Sequence, residues 1–227
     1  MCKGKNTFKH LNILKIRCKI IVYVFMLFSV NTNAQTERGI IMEKFYSMEI
    51  AGCKRDLELF KVNDNLYIAA FIIFGDVEMT KAAARELLKK APEYDIMVTA
   101  ESKSIPLIYE MASQAGDSNY VIARKAPKVY MKNIVTTEVN SITTKHTQNL
   151  CLGEDDANAL KGKRVLIVDD VISTGDSLEA IEHLVKNAGG NIVGKMAVLA
   201  EGAAANRDDI IFLEKLPLFD GEGNILE

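Results

Sequence analysis

The sequence predicts an α/β fold built on a mainly parallel sheet with helices on both faces. Segments with strand character and segments with helical period alternate from residue 66 to residue 213, the pattern of repeated strand–helix units. The run RVLIV (164–168) is apolar after its first residue, as a strand buried on both sides must be. The helical stretches stop at Pro92, Gly116 and Gly189-Gly190, residues that end helices by steric clash or by a left-handed cap.

The first 41 residues stand apart. MCKGKNTFKHLNILKIRCK is basic, IIVYVFMLFSV is a short apolar run and NTNAQ is polar, which is the layout of a secretory signal peptide. The apolar run is too short to span a bilayer. TERGIIM, ending at Met42, offers a second reading: Glu-Arg-Gly can be encoded by a purine-rich ribosome-binding sequence just ahead of a start codon. We favour a start at Met42 over an export signal. On either reading residues 1–41 are a leader outside the fold, and residues 42–227 form one α/β domain.

Within that domain FYSMEIAGCKRDLELFKV (45–62) alternates loosely and predicts edge strands. LYIAAFIIF (66–74) predicts a buried strand that turns at Gly75-Asp76. VEMTKAAARELLKKA (77–91) places apolar residues at helical spacing among strong helix formers. YDIMVTA (94–100) is the next strand, IPLIYEMASQAG (105–116) the next helix and NYVIARK (119–125) a further strand. Residues 126–148 are polar and Thr-rich without helical period, so a loop or hairpin is expected, with NLCL (149–152) returning as a strand. GKRVLIVDD (162–170) and DSLEAIEHLVKNAGG (176–190) are the next strand and helix. NIVGKMAVLA (191–200) and IIFL (210–213) are the last strands.

Composition narrows the function. Apolar residues are 48% of the chain, charged residues 26% and the formal net charge is −2, a balance with ample core and no sign of a polyanion partner. With no Trp and 7% aromatic residues, stacking platforms for single-stranded nucleic acid are not expected. Cys2, Cys18, Cys53 and Cys151 show no CxxC spacing and His is scarce, so neither a zinc site nor a disulfide framework is indicated.

One stretch calls for a ligand. The strand RVLIV ends on Asp169 and Asp170, and Ser173, Thr174, Gly175, Asp176 and Ser177 follow before an amphipathic helix. Adjacent buried carboxylates repel and are costly to desolvate unless a cation or hydroxyls meet them. Gly175 lets the backbone approach a ligand closely, and small neighbours leave the amides uncovered. With the helix dipole behind them, those amides suit a phosphate monoester. The aspartates suit vicinal hydroxyls, Mg2+, or both. A sugar phosphate satisfies both halves.

VLIVDDVISTGDS resembles the phosphoribosyl-pyrophosphate (PRPP) loop of the type I phosphoribosyltransferase family, and the resemblance covers most of residues 62–215. TAESKSIPL (99–107) is similar to the family's pyrophosphate loop, VIARK (121–125) to the strand before the flexible hood of the adenine and xanthine enzymes, and VNSITTKHTQNLCL to a hood segment. The resemblance implies a type I phosphoribosyltransferase-like mainly parallel sheet with helices on both faces and a small hood. It implies that Asp169 and Asp170 hold the ribose hydroxyls and Mg2+, and that Ser173, Thr174, Gly175, Asp176 and Ser177 hold the 5′-phosphate. Ser102, Lys103 and Ser104 would meet pyrophosphate, Lys103 as a point charge, with Arg124 and Lys125 at pyrophosphate or base. The chain departs from the family in carrying Ser104 where Gly is usual. In this loop the family often has a cis peptide bond, here Glu101–Ser102, expected to be cis with ligand and either isomer without.

The 6-oxopurine enzymes carry an Asp at the position of Ser173, where it serves N7 as acid/base. A serine cannot do that at neutral pH. The resemblance therefore implies a purine salvage enzyme that makes a nucleoside 5′-monophosphate and pyrophosphate from PRPP and a base, adenine first and xanthine second. Glu138 is the candidate proton donor in the hood. The expected setting is a cytoplasmic homodimer with no nucleic-acid partner and no membrane segment in the mature domain. The alternative is a PRPP-sensing transcription regulator on the same fold, which would need a DNA-binding extension that residues 42–227 do not offer.

Overall fold

The structure is a computed structural model, and it describes residues 45–137 and 150–226. The chain divides into two units, Met1–Met42 and Glu43–Glu227, and the elements below belong to the second. The leader, residues 1–41, lies outside the described residues.

The parallel sheet is made of β4 (Ile96–Ala100), β5 (Val121–Ala123), β8 (Arg164–Ile172), β9 (Asn191–Glu201) and β10 (Ile211–Leu216), in the spatial order β10-β9-β8-β4-β5. All four adjacent pairs are parallel. Their side chains alternate between two cores, as the period of a strand requires. Met97, Leu166, Val168, Met196 and Val198 join one core, while Ile96, Val98, Val165, Ile167 and Ala197 join the other. Helices α1 (Val77–Lys90) and α2 (Ile105–Ala115) cover the first, burying Ala83, Leu87, Leu107, Ile108 and Met111. Helix α3 (Glu154–Leu160) and helix α4 (Asp176–Asn187) cover the second. In α4, Leu178, Ile181, Leu184 and Val185 fall on one face and are buried. Each such side chain contributes about 1.5–3 kcal/mol by leaving water.

The strand order records where the chain changes direction across the sheet. From β4 the sheet grows one way to β5, and from β8 the other way to β9 and β10. Between β4 and β8 lies the switch point, where the following loops part and open a crevice beyond the strands' carboxyl ends. The β4–β8 ladder is recorded only from Ile96↔Val165 to Val98↔Ile167.

A second sheet was read differently from the sequence. β1 (Phe45–Ile50), β2 (Cys53–Asn63) and β3 (Leu66–Ala69) pair antiparallel and continue into β11 (Leu218–Phe219) and β12 (Ile225–Leu226), so the expected edge strands form a separate five-stranded sheet. The expected buried strand over 66–74 stops at Ala69, and Ile72 and Phe74 are 59% and 55% exposed. Arg55 of β2 ties this sheet to α1. Its Nε and Nη2 donate to both oxygens of Asp76, the α1 N-cap, at 2.7 and 3.0 Å. The hairpin expected over 126–152 survives as β6 (Val135–Thr136) against β7 (Cys151–Leu152), antiparallel. Cys53 and Cys151 are free and buried. Among the described residues no helix is long and apolar enough to cross a membrane.

Candidate active site

Two loops face each other across the switch point. Residues 101–104 leave the end of β4 and enter α2, and residues 173–175 link β8 to α4. β8 runs through the acid pair to Ile172, so Asp169 and Asp170 are strand residues, 8% and 4% exposed. Asp169 Oδ1 accepts the N–H of Asp170 at 2.9 Å. Burial, reinforced by the neighbouring charge of Asp170, pushes the Asp169 carboxyl up to about 7.

Lys103 reaches across from the other loop. Its Nζ lies 3.0 Å from Asp170 Oδ2 and donates to the carbonyl of Phe71 at 2.8 Å. The contact with Asp170 is close enough for an ion pair, yet Oδ2 is buried and makes no hydrogen bond. That oxygen keeps lone pairs for a hydroxyl or a cation. Two adjacent carboxylates, one of them raised and the other facing a lysine that a ligand could displace, fit a hard divalent ion whose remaining ligands are waters and substrate oxygens. Among the described residues no group of three or more His, Cys, Asp or Glu is placed to hold a metal ion by itself.

Beyond Asp169 a cavity of about 100 Å3 is lined by Asp169, Val171, Ile172 and the residues from Ser173 to Leu178. Gly175 has φ +91°, a left-handed conformation that favours glycine, and it starts α4 without a side-chain cap. An α-helix leaves the N–H groups of its first turn without carbonyl partners, and they face the ligand side of such a turn. Ser173, Thr174 and Asp176 are exposed, and the Asp176 N–H meets Thr174 Oγ1 at a long 3.4 Å.

The other predicted residues sort themselves unevenly. Ser102 is half-buried, its hydroxyl shared with that of Ser104. Ser104 is fully buried, and its hydroxyl also meets Thr99 Oγ1 at 2.6 Å. Its side chain braces the loop from inside and also lies within reach of the Asp169 carboxyl, on which it acts to lower the pKa. Arg124 and Lys125 converge on Glu101, a residue the sequence reading passed over. Glu101 takes the Lys125 N–H at 3.1 Å and Arg124 Nη1 at 3.3 Å, with Lys128 Nζ 3.5 Å away. The Lys125 N–H, followed by the charges of Lys128 and Arg124, holds the Glu101 carboxyl below its ordinary range. Glu101 thus gathers cations beside the Ser102–Lys103 loop, and its place at the head of that loop was the available signal. The Phe71 carbonyl had none, because a backbone acceptor leaves no mark in a sequence. Glu138 lies outside the described residues. Every peptide bond among the described residues is trans, Glu101–Ser102 included, which is one of the two isomers expected without ligand.

The family described as a phosphoribosyl transferase domain matches residues 75–217, more than half of the chain and all of the elements that build this crevice. The chain belongs to the phosphoribosyltransferase family. A hypoxanthine/guanine phosphoribosyltransferase of Methanococcus maripaludis is 33% identical over 142 residues, which are 60% of this chain and 72% of that protein. An adenine phosphoribosyltransferase of Rhodococcus jostii is 29% identical over 149 residues, 64% of this chain and 78% of the relative. Among solved structures, adenine phosphoribosyltransferase from Thermoanaerobacter pseudethanolicus superposes with a TM-score of 0.54 at 21% identity, covering 75% of this chain and 95% of the other. The Trypanosoma brucei adenine enzyme, solved with AMP, pyrophosphate and ribose-5-phosphate, gives 0.53 at 18% identity, covering 75% of this chain and 76% of the other. These superpositions carry the α/β fold. As a phosphoribosyltransferase the chain is a pentosyltransferase.

Proposed function

We propose that this phosphoribosyltransferase transfers the phosphoribosyl group of PRPP to a purine base, releasing pyrophosphate and the nucleoside 5′-monophosphate. The observation that carries this reading is the convergence at one switch point of a buried acid pair, an uncapped helix N-terminus behind Gly175, and Lys103 from the facing loop. The 5′-phosphate sits on the turn from Ser173 to Ser177, and Asp169 and Asp170 take the ribose hydroxyls. The reaction builds positive charge at the ribose C1′ as pyrophosphate leaves, so the two carboxylates beside the ribose favour the transition state over the ground state. Ser102 and Lys103 meet the departing pyrophosphate, with Arg124 and Lys125 held near it by Glu101. For Lys103 this means exchanging Asp170 and the Phe71 carbonyl for the ligand. Mg2+, when bound, would be held by Asp169 and Asp170 together with substrate oxygens and would neutralise charge on pyrophosphate.

Relatives bearing both adenine and hypoxanthine/guanine names are of similar identity, so the base is argued from the chain itself. Ser173 provides no carboxylate for N7, which disfavours hypoxanthine and guanine, and the overall resemblance of the chain puts adenine first, with xanthine second. Glu138 remains the candidate proton donor. The domain of residues 42–227 acts as a homodimer in the cytoplasm; the exposed apolar side chains of Ile72, Phe74, Val77 and Tyr109 are the surface a second copy would cover. Light scattering at micromolar concentration reads the dimer, and a monomer there contradicts it. For the base, kcat/KM with PRPP is measured for adenine, xanthine, hypoxanthine, guanine and orotate. Adenine should lead, and a preference for hypoxanthine or guanine overturns the argument from Ser173.

A further inference from the structure

Arg207 approaches the phosphate turn from outside the cavity. It follows the 3-10 helix Gly202–Asn206 at the end of β9, and β9 pairs with β8 through the register Asp169↔Ala197 to Ile172↔Ala200. The parallel ladder therefore delivers the loop after β9 to the same end of the sheet as the loop after β8. At Gly175 a Cβ would stand 2.8 Å from Arg207 Nη1, closer than any real side chain tolerates. Gly175 is required by its φ of +91°, and a Cβ there would in addition press on the guanidinium and push it from its place.

That guanidinium is held in place. Its Nε and Nη2 donate to the two oxygens of Asp209 at 2.8 and 2.8 Å, a planar fork that fixes orientation as well as distance. Asp209 is held in turn by Lys195 of β9, and Lys195 Nζ also meets Glu182 of α4 at 3.0 Å. Arg207, followed by Lys195, holds the Asp209 carboxyl far below its ordinary range, so the fork stays ionised across the working pH. The chain of ion pairs runs from α4, the helix that begins at the turn, through β9 to the guanidinium that backs Gly175. Nη1 is the guanidinium nitrogen left facing the turn. Arg207 does not line the cavity itself.

We propose that Arg207 is a positioning residue for the 5′-phosphate turn: its Asp209-locked guanidinium backs Gly175 and keeps the turn's amides convergent. This rests on the reading of that turn as a phosphate site. It assigns a role to a residue outside the PRPP motif and to the otherwise surface-exposed Asp209. The charge alone is not sufficient, because a lysine cannot form the fork.

The test uses the full chain and two ligands that divide the site, ribose 5-phosphate and pyrophosphate, titrated by calorimetry with Mg2+. Arg207→Met should weaken ribose 5-phosphate about tenfold, the order expected when a binding group is misplaced by a fraction of an ångström. Pyrophosphate affinity should stay within about twofold, and kcat at saturating PRPP within about threefold, since neither the pyrophosphate loop nor the acid pair is touched. Arg207→Lys should recover less than half of the loss on a logarithmic scale, and Asp209→Asn should reproduce the Met phenotype with the arginine still present. Unchanged ribose 5-phosphate affinity in Arg207→Met overturns the proposal. So does an equal loss for both ligands, which marks general destabilisation, and so does full rescue by lysine. If the unaltered protein binds pyrophosphate but not ribose 5-phosphate, the phosphate-site reading itself falls and the proposal with it.

Discussion

Removing the Asp169 charge should make the ligand-free protein more stable, and increasingly so as pH rises. In the unfolded chain this carboxyl ionises near its ordinary 3.8; in the fold, burial and then the charge of Asp170 delay ionisation to about 7. Between those values the folded state binds more protons than the unfolded one. Stability from this group therefore falls as pH rises from about 4 to about 7, and stays lost above that. A rise of about three pH units at about 1.4 kcal/mol each places the effect on the order of a few kcal/mol, most of it present by pH 8 and less than half of it at pH 5. Asp169→Asn cannot ionise in either state, and its side-chain oxygen can still accept the Asp170 N–H. The variant should melt above the parent, with the gap widening by about 2–3 kcal/mol, or about 5–10 °C, between pH 5 and pH 8. Differential scanning fluorimetry without ligand at both values reads this directly. With ribose 5-phosphate and Mg2+ the order should reverse, because the variant loses the stabilisation that ligand binding adds. A gap that is constant with pH, or a variant less stable than the parent at pH 8, would refute the claim that Asp169 is a strained, ligand-awaiting carboxylate.

Other variants probe the rest of the crevice. Lys103→Met should lower kcat with PRPP about 10²-fold, the usual effect of losing one group that stabilises developing charge, and an unchanged kcat in a steady-state assay would remove Lys103 from the reaction. Gly175→Ala combines a φ of +91° with a Cβ 2.8 Å from Arg207 Nη1. It should cost at least about 1–2 kcal/mol of stability in denaturant titration, and ribose 5-phosphate binding should fall below detection by calorimetry. Glu101→Gln weakens the hold on Arg124 and Lys128, so pyrophosphate affinity should change several-fold while ribose 5-phosphate affinity does not; equal changes in both would count against the division of the site.

The parts of the molecule that were legible in the sequence share a physical property: each announces itself locally. β8 carries the apolar run Val165–Val168 because both of its faces are buried there, and α4 follows with its apolar residues on one face. The acid pair and the small residues after it lie close together along the chain, so a crevice lined by both was readable in one line. The second sheet was not, because β11 and β12 are two residues each, too short to show any period. β11 becomes a strand because β3 lies alongside, a pairing across most of the chain, and β12 pairs in turn with β11. β3 itself looked longer than it is: the run from Leu66 to Phe74 is apolar throughout, but Ile72 and Phe74 lie on the surface. Helix α3 is not legible in the sequence because its seven residues, EDDANAL, bury only Leu160, with Ala157 and Ala159 beside it, too little apolar surface to show a period. Glu101 and Arg207 acquire their places through neighbours brought in by β5 and by β9, and spacing along the chain does not encode such contacts.

In the proposed reaction Asp169 and Asp170 hold the ribose of PRPP during transfer. This role is tested most directly by following pyrophosphate release from PRPP with adenine and Mg2+, in the parent and in the Asp169→Asn, Asp170→Asn double variant. Turnover is expected in the parent, with a loss of at least about 10³-fold in a double variant that still melts cooperatively, as befits two groups that act on the same developing charge. A folded double variant that keeps the parent's rate would contradict it.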